Sequence, residues 1–289
     1  MDVLGLRPDG YHEVETVMQS ISLFDETEVV WKAVPGTGEV AVKITCDKPG
    51  VPLDERNLAC KAVRLMEKVC AGKRPEAVPE GELSIDIRKS IPVAAGLAGG
   101  SGNAASVVIA LNELWGMGLS VEDLCGLSSR LGADVPFTLL SQVTDCRCAL
   151  GSGIGDRLTA LRNEVDFNVL LVNPGFGVST PEVYRGIDAI PEEERTHPDT
   201  AGLVEALDRG DGELAFRTMK NGLEDYTLRA YPVVDEIKRR MEETEGLKLT
   251  MMSGSGPTVI GFYRNKEDTA KAALRFGDEG YTVVLAEKA

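Results

Sequence analysis

Apolar residues recur along this chain with two periods, and the change between them separates predicted strands from predicted helices. Two N-terminal strands are predicted, a short one at residues 2–6 and a returning one at residues 11–23, around the turn sequence RPDG at residues 7–10. Further strands are predicted at residues 28–31, 40–45, 83–88, 167–172, 247–252, 258–263 and 281–286. Helices are predicted at residues 57–70, 121–131, 200–208, 213–223, 231–244 and 266–276. Residues 73–81 are predicted as a polar loop.

One more predicted helix organises the middle of the chain. Its apolar stripe consists of Val107, Leu111, Leu114 and Trp115. Asn103 is predicted as its N-cap, and Gly116 as the residue that ends it. Four glycines, at positions 96, 99, 100 and 102, precede this helix. Glycines let the backbone approach a ligand closely, and a helix N-terminus offers unpaired N–H groups, so the stretch is predicted as an anion site, most often for phosphate.

Two known phosphate motifs and one structural explanation compete for this glycine run. The P-loop needs a lysine directly after its glycines, and none follows here. Gly100, Gly102 and Ala105 match the dinucleotide pattern G-x-G-x-x-[GA], but a loop that contains Pro92 separates them from the preceding predicted strand. A flexible loop that caps a core helix also fits the composition.

The order of elements favours an α+β protein of two domains. Strands and two helices come first, and a mixture of strands and helices that ends in a β-hairpin follows. A second glycine cluster at residues 151–155 has no clear helix behind it, so a surface hairpin is favoured there over a phosphate site. The same cluster is the predicted seam, which divides the chain into residues 1–155 and 156–289.

Composition narrows the classes of function. The formal net charge of −15 argues against nucleic acid and anionic membranes as partners. No apolar run has the length of a membrane span, and the N-terminus lacks the pattern of a signal peptide, so a cytoplasmic protein is expected. The six cysteines are scattered, and only Cys146 and Cys148 are close in sequence, so reduced thiols are expected rather than a zinc site.

Three further positions have suggestive chemistry and also ordinary explanations. Tyr11 and His12 follow the first turn, where most such pairs only flank the turn. Asp134 follows a predicted helix end, a usual place for a solvated cap or turn carboxylate. The sequence SGSGP at residues 253–257 joins two predicted strands, as glycine-rich hairpin loops commonly do.

Five segments, in order, resemble one family of enzymes. They are RPDGYHEVETVMQSISLFDE at residues 7–26, the glycine run with its helix at 91–115, LGADVPF at 131–137, VSTPEVY at 178–184 and MSGSGPTVIGFY at 252–263. The set is similar to the kinase superfamily named for galactokinase, homoserine kinase, mevalonate kinase and phosphomevalonate kinase. Within it, the set resembles the 4-diphosphocytidyl-2-C-methyl-D-erythritol kinase family. Each segment alone is weak, whereas five in order across nearly the whole chain are specific.

The resemblance implies a two-domain small-molecule kinase, with an ATP-loop and catalytic domain at residues 1–155 and a smaller, α/β-plait-like domain on the substrate side at residues 156–289. It implies ATP and Mg²⁺ as cofactors, and phosphorylation of the 2-hydroxyl of 4-diphosphocytidyl-2-C-methyl-D-erythritol in non-mevalonate isoprenoid biosynthesis. The implied partner is therefore a small molecule, a cytidine diphosphate-linked methylerythritol, rather than nucleic acid or membrane. A monomer or homodimer is expected, and the metal ligands are not predicted.

The resemblance also assigns residues at the ATP end of the site. The phosphates of ATP would be bound by the loop of Pro92, Val93, Ala94, Ala95, Gly96, Leu97, Ala98, Gly99, Gly100, Ser101 and Gly102. Ser101 would contact phosphate or Mg²⁺, and the loop at residues 253–257 would pack against the ATP loop and steady it. Asp134 would be the catalytic base that orients and deprotonates the acceptor hydroxyl.

At the cytidine end, the resemblance assigns four residues. Tyr11 would stack on one face of the cytosine and Tyr184 would close the other face. His12 would hydrogen-bond the pyrimidine edge and supply selectivity. Thr180, predicted to cap the helix that starts with Pro181, would lie near the substrate.

The chain departs from the family pattern in two places. The family loop usually reads G-L-G-G-G-S-S-D-A-A, and this chain has Ala98, Gly102 and Asn103 at three of its positions, with ATP binding expected to survive. Family members also carry an opening strand, A-K-I-N-L-x-L, with a catalytic lysine, and this sequence begins at Met1, just after that strand would end. A late start codon or trimming is favoured over a chain without activity. Lower stability and much lower activity are expected for the polypeptide as written.

Three rival functions remain open. A sister kinase such as homoserine kinase would phosphorylate another small alcohol, which a panel of acceptors distinguishes. A non-catalytic nucleotide-binding relative fits the missing lysine and would bind ATP without turnover. A dehydrogenase fits the dinucleotide pattern and would bind NAD(H) in a titration.

Overall fold

A computed structural model of the chain describes residues 1–73, 79–277 and 279–289. The strands are β1 (Asp2–Leu6), β2 (His12–Gln19), β3 (Glu26–Ala33), β4 (Val40–Cys46), β5 (Gly81–Arg88), β6 (Cys148–Ser152), β7 (Arg157–Ala160), β8 (Asn168–Asn173), β9 (Leu247–Met252), β10 (Val259–Tyr263) and β11 (Thr282–Glu287). The helices are α1 (Leu58–Lys73), α2 (Gly99–Leu114), α3 (Val121–Ser128), α4 (Val135–Val143), α5 (Thr180–Asp188), α6 (Thr200–Arg209), α7 (Gly212–Thr218), α8 (Glu224–Ala230), α9 (Pro232–Glu242) and α10 (Lys266–Leu274).

Most predicted elements are confirmed in type, with two exceptions among the helices. Sequence analysis did not predict α4, which starts at Val135 directly after Asp134, and it did not predict α8. The helix predicted at residues 213–223 corresponds to α7, which ends at Thr218. The predicted helix at residues 121–131 ends at Ser128. The predicted polar loop falls partly on residues 74–78, which lie outside the described residues.

The described residues form two compact units that are interleaved in sequence. Unit 1 comprises residues 1–23, 94–97 and 146–289, and unit 2 comprises residues 24–93 and 98–145. The expected division at residue 155 is linear in sequence and stays a prediction. The hairpin of β6 and β7 spans that position, and β6 also pairs with β2. Hydrogen bonding therefore joins the first two strands to the C-terminal half of the chain within unit 1.

Unit 2 packs α1, α2, α3 and α4 on a three-stranded sheet of order β3-β5-β4. Strand β5 is antiparallel to β3 and parallel to β4. Its alternate residues Leu83, Ile85 and Ile87 are buried on the helical side, whereas the residues between them are polar, as expected for a sheet with one covered face. The apolar stripe of α2 lies in the same core through Val107 and Leu111. This packing fixes the position of α2 and thus of Gly99, Gly100 and Gly102, which lie in its first turn.

Unit 1 contains an antiparallel sheet of order β11-β8-β10-β9. Strand β8 lies inside this sheet and is buried on both faces, with Leu170 and Val172 in one apolar cluster and Val169 and Leu171 in another. The element order from β8 through α5–α9, β9, β10 and α10 to β11 is a β-α-β-β-α-β arrangement. The α+β class and the plait-like second domain predicted from the sequence are therefore confirmed.

A second sheet of unit 1 has the order β1-β2-β6-β7. The turn between β1 and β2 closes with a hydrogen bond from the N–H of Arg7 to the carbonyl of Tyr11 at 2.7 Å. Gly10 adopts φ 83° in this turn, a backbone conformation that favours glycine. The predicted N-terminal hairpin is confirmed, and it places Tyr11 in the turn and His12 at the start of β2.

Candidate active site

Helix α2 begins inside the glycine run, earlier than predicted. Its first residue is Gly99, and its N-cap is Ala98, which has a left-handed conformation with φ 53°. The first main-chain hydrogen bond of the helix runs from the N–H of Gly102 to the carbonyl of Ala98, at 2.9 Å. In the described part of the chain, the N–H groups of Gly99, Gly100 and Ser101 have no protein acceptor. Three free donors at a helix start can bind an oxyanion such as a phosphate.

The prediction that Asn103 caps this helix is wrong. Asn103 lies within α2, is 5% exposed, and donates from Nδ2 to a carboxylate oxygen of Asp25 at 3.1 Å. The left-handed turn at Ala98 starts the helix five positions before Asn103, so the amide side chain faces the interior. Its role is therefore to tie the first turns of α2 to the residue that precedes β3.

Asp25 is the centre of a buried polar cluster beneath the glycine run. It accepts hydrogen bonds from the main-chain N–H groups of Ser90 and Ile91, both at 2.9 Å, and pairs with the ammonium group of Lys89. The side chains of Lys89 and Asp25 are 5% and 3% exposed. A Cβ on Gly99 would lie 2.8 Å from Nζ of Lys89, so the ion pair lies against the start of α2.

Sequence analysis missed this cluster, because its two charged members lie 64 residues apart. Locally the sequence shows only a lysine directly after β5 and an aspartate directly before β3. A lysine that follows an alternating strand is usually exposed, so the pattern alone does not indicate burial.

Residues 94–97 of the predicted ATP loop belong to unit 1 and pack on the turn between β9 and β10. The hydroxyl of Ser253 donates to the carbonyl of Gly96 at 2.8 Å. Gly96 has φ 73°, and a Cβ there would lie 2.5 Å from the carbonyl oxygen of Ser253 and 2.9 Å from that of Gly256. The expected contact between the loop at residues 253–257 and the glycine run is therefore present, and it leaves no room for a side chain at Gly96.

Asp134 immediately precedes α4 and makes no side-chain capping bond. It is exposed, and its carboxylate has no hydrogen-bond or ion-pair partner among the described residues. Protein around the group removes part of its hydration and raises the pKa of Asp134. A carboxylate with a raised pKa and free lone pairs is a stronger proton acceptor than an ordinary aspartate. Helix α4 is tied to the start of α2, because Gln142 donates to the carbonyl of Gly102 at 3.1 Å.

The structure groups His12, Tyr184 and Asp188 within unit 1. The rings of His12 and Tyr184 stack with centroids 4.7 Å apart and an angle of 29° between their planes. Nε2 of His12 lies 2.9 Å from Oδ1 of Asp188, the last residue of α5. Sequence analysis did not single out Asp188, since 176 residues separate it from His12 and the chain offers no motif that links them.

The other two residues assigned to the cytidine end are also in unit 1. Tyr11 is 61% exposed, and the ring contacts found in the described residues do not include it. Thr180 is the first residue of α5 rather than its cap, and the N-cap is Ser179. The Thr180 hydroxyl lies 2.9 Å from the hydroxyl of Ser255. The structure thus brings Tyr184 onto His12 and Thr180 onto the turn that contacts Gly96.

Within residues 1–73, 79–277 and 279–289, no group of three or more His, Cys, Asp or Glu side chains is arranged to hold a metal ion. None of the helices in those ranges combines the length and apolar character needed to span a membrane.

The chain matches two family models, one in each half of the sequence. Residues 57–142 match the GHMP kinases N terminal domain, and residues 203–282 match the GHMP kinases C terminal domain. A 4-diphosphocytidyl-2-C-methyl-D-erythritol kinase of Clostridium novyi is 39% identical over 272 residues, which cover 94% of this chain and 89% of the relative.

Solved structures agree with the sequence relatives. A crystal structure of 4-(cytidine 5'-diphospho)-2C-methyl-D-erythritol kinase aligns with a TM-score of 0.74 and 31% identity, covering 100% of this chain and 95% of the other. A homoserine kinase from Cytophaga hutchinsonii aligns with a TM-score of 0.69 over 94% of this chain and 88% of the other, and at 18% identity it indicates the shared fold alone.

Proposed function

Because the chain belongs to the 4-diphosphocytidyl-2-C-methyl-D-erythritol kinase family of the GHMP kinases, we propose that it transfers the γ-phosphate of ATP to the 2-hydroxyl of 4-diphosphocytidyl-2-C-methyl-D-erythritol. The products are the 2-phosphate of that substrate and ADP, within non-mevalonate isopentenyl diphosphate biosynthesis. The observation that carries the proposal is the 39% identity to such a kinase over 94% of the chain. Since both substrates are water-soluble nucleotides, we place the reaction in the cytoplasm.

At the ATP end, we assign phosphate binding to residues 92–102. The N–H groups of Gly99, Gly100 and Ser101 support this assignment, because among the described residues they have no acceptor, and unpaired donors at the positive end of the α2 dipole attract an anion. This backbone binding explains how a chain with a net charge of −15 accepts a triphosphate. Mg²⁺ often binds through substrate phosphates and one or two carboxylates, so we propose that it enters with ATP. The hydroxyl of Ser101 is the side chain in the run suited to meet phosphate or the ion.

At the reacting hydroxyl, we assign Asp134 as the general base. Its carboxylate would accept the proton as the hydroxyl oxygen bonds to the γ-phosphorus and the bond to ADP breaks. The raised pKa of Asp134 supports this role, because it makes the carboxylate a stronger proton acceptor. Among the described residues the carboxylate has no hydrogen-bond or ion-pair partner, so its lone pairs are available to an incoming alcohol.

At the cytidine end, we assign Tyr11, His12, Thr180 and Tyr184. The 61% exposure of Tyr11 leaves a ring face available for stacking on a base. The stack of Tyr184 on His12 supports a second role for Tyr184, which is to hold the imidazole plane in place. Thr180 lies against the turn that steadies the ATP loop within unit 1.

The test is an assay of ADP release with a panel of alcohols, namely the cytidine substrate, homoserine and mevalonate, and with ³¹P NMR of the product. We expect turnover of the cytidine substrate alone, with a new phosphomonoester signal. Asp134→Asn should lower kcat by about 10²-fold to 10⁴-fold, whereas the control Asp86→Asn, an aspartate on β5, should leave kcat unchanged. Turnover of homoserine or mevalonate instead would favour a sister kinase. ATP binding without turnover of any acceptor would favour a non-catalytic relative.

A further inference from the structure

His12 and Asp188 form a directed contact that leaves one ring nitrogen for a ligand. Nε2 of His12 lies 2.9 Å from Oδ1 of Asp188. An ionised carboxylate only accepts hydrogen bonds, so the proton in this contact belongs to Nε2. In the neutral imidazole the second nitrogen, Nδ1, then carries a lone pair and accepts.

The remaining contacts of the pair hold this arrangement in place. The His12 side chain is 9% exposed, and its ring stacks on Tyr184, so the imidazole is held against a second ring. Within the described residues, Nδ1 of His12 has no protein hydrogen-bond partner. The buried side-chain atom without a partner in that part of the chain is Nε1 of Trp115, so Nδ1 of His12 is accessible to solvent. Arg195 donates to the main-chain carbonyl of Asp188, at 3.3 Å, and not to the carboxylate of Asp188 that contacts His12.

Cytosine and uracil differ at the position that such a nitrogen distinguishes. Cytosine carries an exocyclic amine, which donates a hydrogen bond, whereas uracil carries a carbonyl oxygen, which accepts. An Nδ1 that accepts a hydrogen bond therefore matches the cytosine amine. Against uracil, the lone pair of Nδ1 and a lone pair of the carbonyl oxygen would face and repel each other. Selectivity arises both from the bond that forms and from the repulsion that the wrong base meets.

We propose that Asp188 is a positioning residue for base selectivity: it fixes His12 as the Nε2–H tautomer, so that Nδ1 accepts from a cytosine amine and disfavours uracil. The proposal rests on the assignment of His12 to the pyrimidine edge, made under the proposed function. Asp188 itself needs no contact with the substrate, because it acts through the ring of His12.

The first measurement reads the tautomer directly. The chain has two histidines, so a long-range ¹H–¹⁵N correlation spectrum gives two imidazole patterns, and the pattern that disappears in a His197→Gln variant belongs to His197. The spectrum is recorded at pH 8, where an ordinary imidazole is neutral. The wild type should show His12 protonated at Nε2. In Asp188→Asn, whose amide can donate as well as accept, the Nδ1–H tautomer should gain population. A His12 that is protonated at Nδ1 in the wild type would overturn the proposal.

The second measurement reads selectivity. We expect the ratio of kcat/KM for the cytidine substrate over its uridine analogue to fall about tenfold or more in Asp188→Asn and Asp188→Ala. The change should appear in KM, with kcat at saturation nearly kept. The control Asp235→Asn removes a carboxylate from an exposed ion pair of unit 1, with Arg239 at 3.0 Å, and should leave the ratio unchanged. An unchanged ratio in both Asp188 variants would overturn the inference.

Binding titrations with CDP and UDP separate this inference from the proposed function. If the wild type phosphorylates the cytidine substrate but binds CDP and UDP equally, the inference fails and the kinase assignment stands. If the wild type binds CDP preferentially, with the preference lost in Asp188→Asn, yet shows no phosphoryl transfer, the inference stands and the kinase assignment fails.

Discussion

The ion pair of Asp25 and Lys89 beneath the start of α2 permits a quantitative test. Both side chains are almost fully buried, at 3% and 5% exposed. Removing one partner of a buried pair costs about 3–5 kcal/mol, because the other charge stays behind without compensation. The two removals differ here. Without Lys89, the Asp25 carboxylate still accepts hydrogen bonds from two main-chain N–H groups. Without the Asp25 carboxylate, Nζ of Lys89 loses the hydrogen-bond partner that the described residues give it.

We therefore expect an asymmetry between two single variants. Asp25→Asn leaves the Lys89 ammonium buried without an anion and should cost about 3–5 kcal/mol of unfolding free energy. Lys89→Met leaves Asp25 with its bonds to Ser90, Ile91 and Asn103, and should cost less by about 1.5–3 kcal/mol, the worth of one such bond to a charged group. The double variant should be more stable than the sum of the two losses predicts, because neither charge remains.

Tryptophan fluorescence in urea measures these differences. Both tryptophans of the chain, Trp31 and Trp115, lie in unit 2, where their rings pack edge-on at 5.7 Å, so the signal reports the unit that holds the pair. The control Glu82→Gln breaks the exposed pair with Lys32 and should cost less than about 1 kcal/mol. A cost for Asp25→Asn below that of the control, or a larger cost for Lys89→Met than for Asp25→Asn, would refute the reasoning.

Three further predictions concern the glycine run and the candidate base. Gly96→Ala should destabilise unit 1 by more than about 2 kcal/mol, because alanine is strained in the left-handed conformation and its Cβ would overlap the carbonyl oxygen of Ser253. All six tyrosines lie in unit 1, so tyrosine absorbance in urea reports its unfolding, and an unchanged midpoint would contradict the packing. Ala98→Gly should stabilise unit 2 by up to about 1 kcal/mol in urea unfolding followed by tryptophan fluorescence, since glycine adopts φ 53° without strain. A clear loss of stability would mean that Ala98 is not strained in its left-handed conformation. Folding raises the pKa of Asp134, so the ionised carboxylate destabilises the folded state above the ordinary aspartate range, and this penalty disappears as pH falls below that range. Asp134→Asn should therefore keep or raise the melting temperature at pH 7 while activity falls, and a lower melting temperature would argue for a structural role.

Local patterns predicted the fold class and most elements, because the period of apolar residues reports which face is buried. The stripe of α2 and its end at Gly116 follow from such spacing, and Gly116 has φ 57° as a helix end requires. The start of α2 did not follow, since Ala98 holds a conformation that sequence reasoning assigns to glycine. Contacts distant in sequence were also missed: neither the burial of Lys89 nor the pairing of Asp188 with His12 leaves a trace in local spacing.

The interleaving of the two units has a consequence for synthesis on the ribosome. Strand β8 of unit 1 pairs with β10 and β11, so its sheet is incomplete until residues 259–287 have left the exit tunnel. The N-terminal hairpin waits as well, because β2 pairs with β6 at residues 148–152. Residues 24–145 contain every segment of unit 2 and emerge before β6, β8, β10 and β11, the strands that complete unit 1. The nascent chain therefore has the helical unit available for vectorial folding while its earliest strands still await their partners.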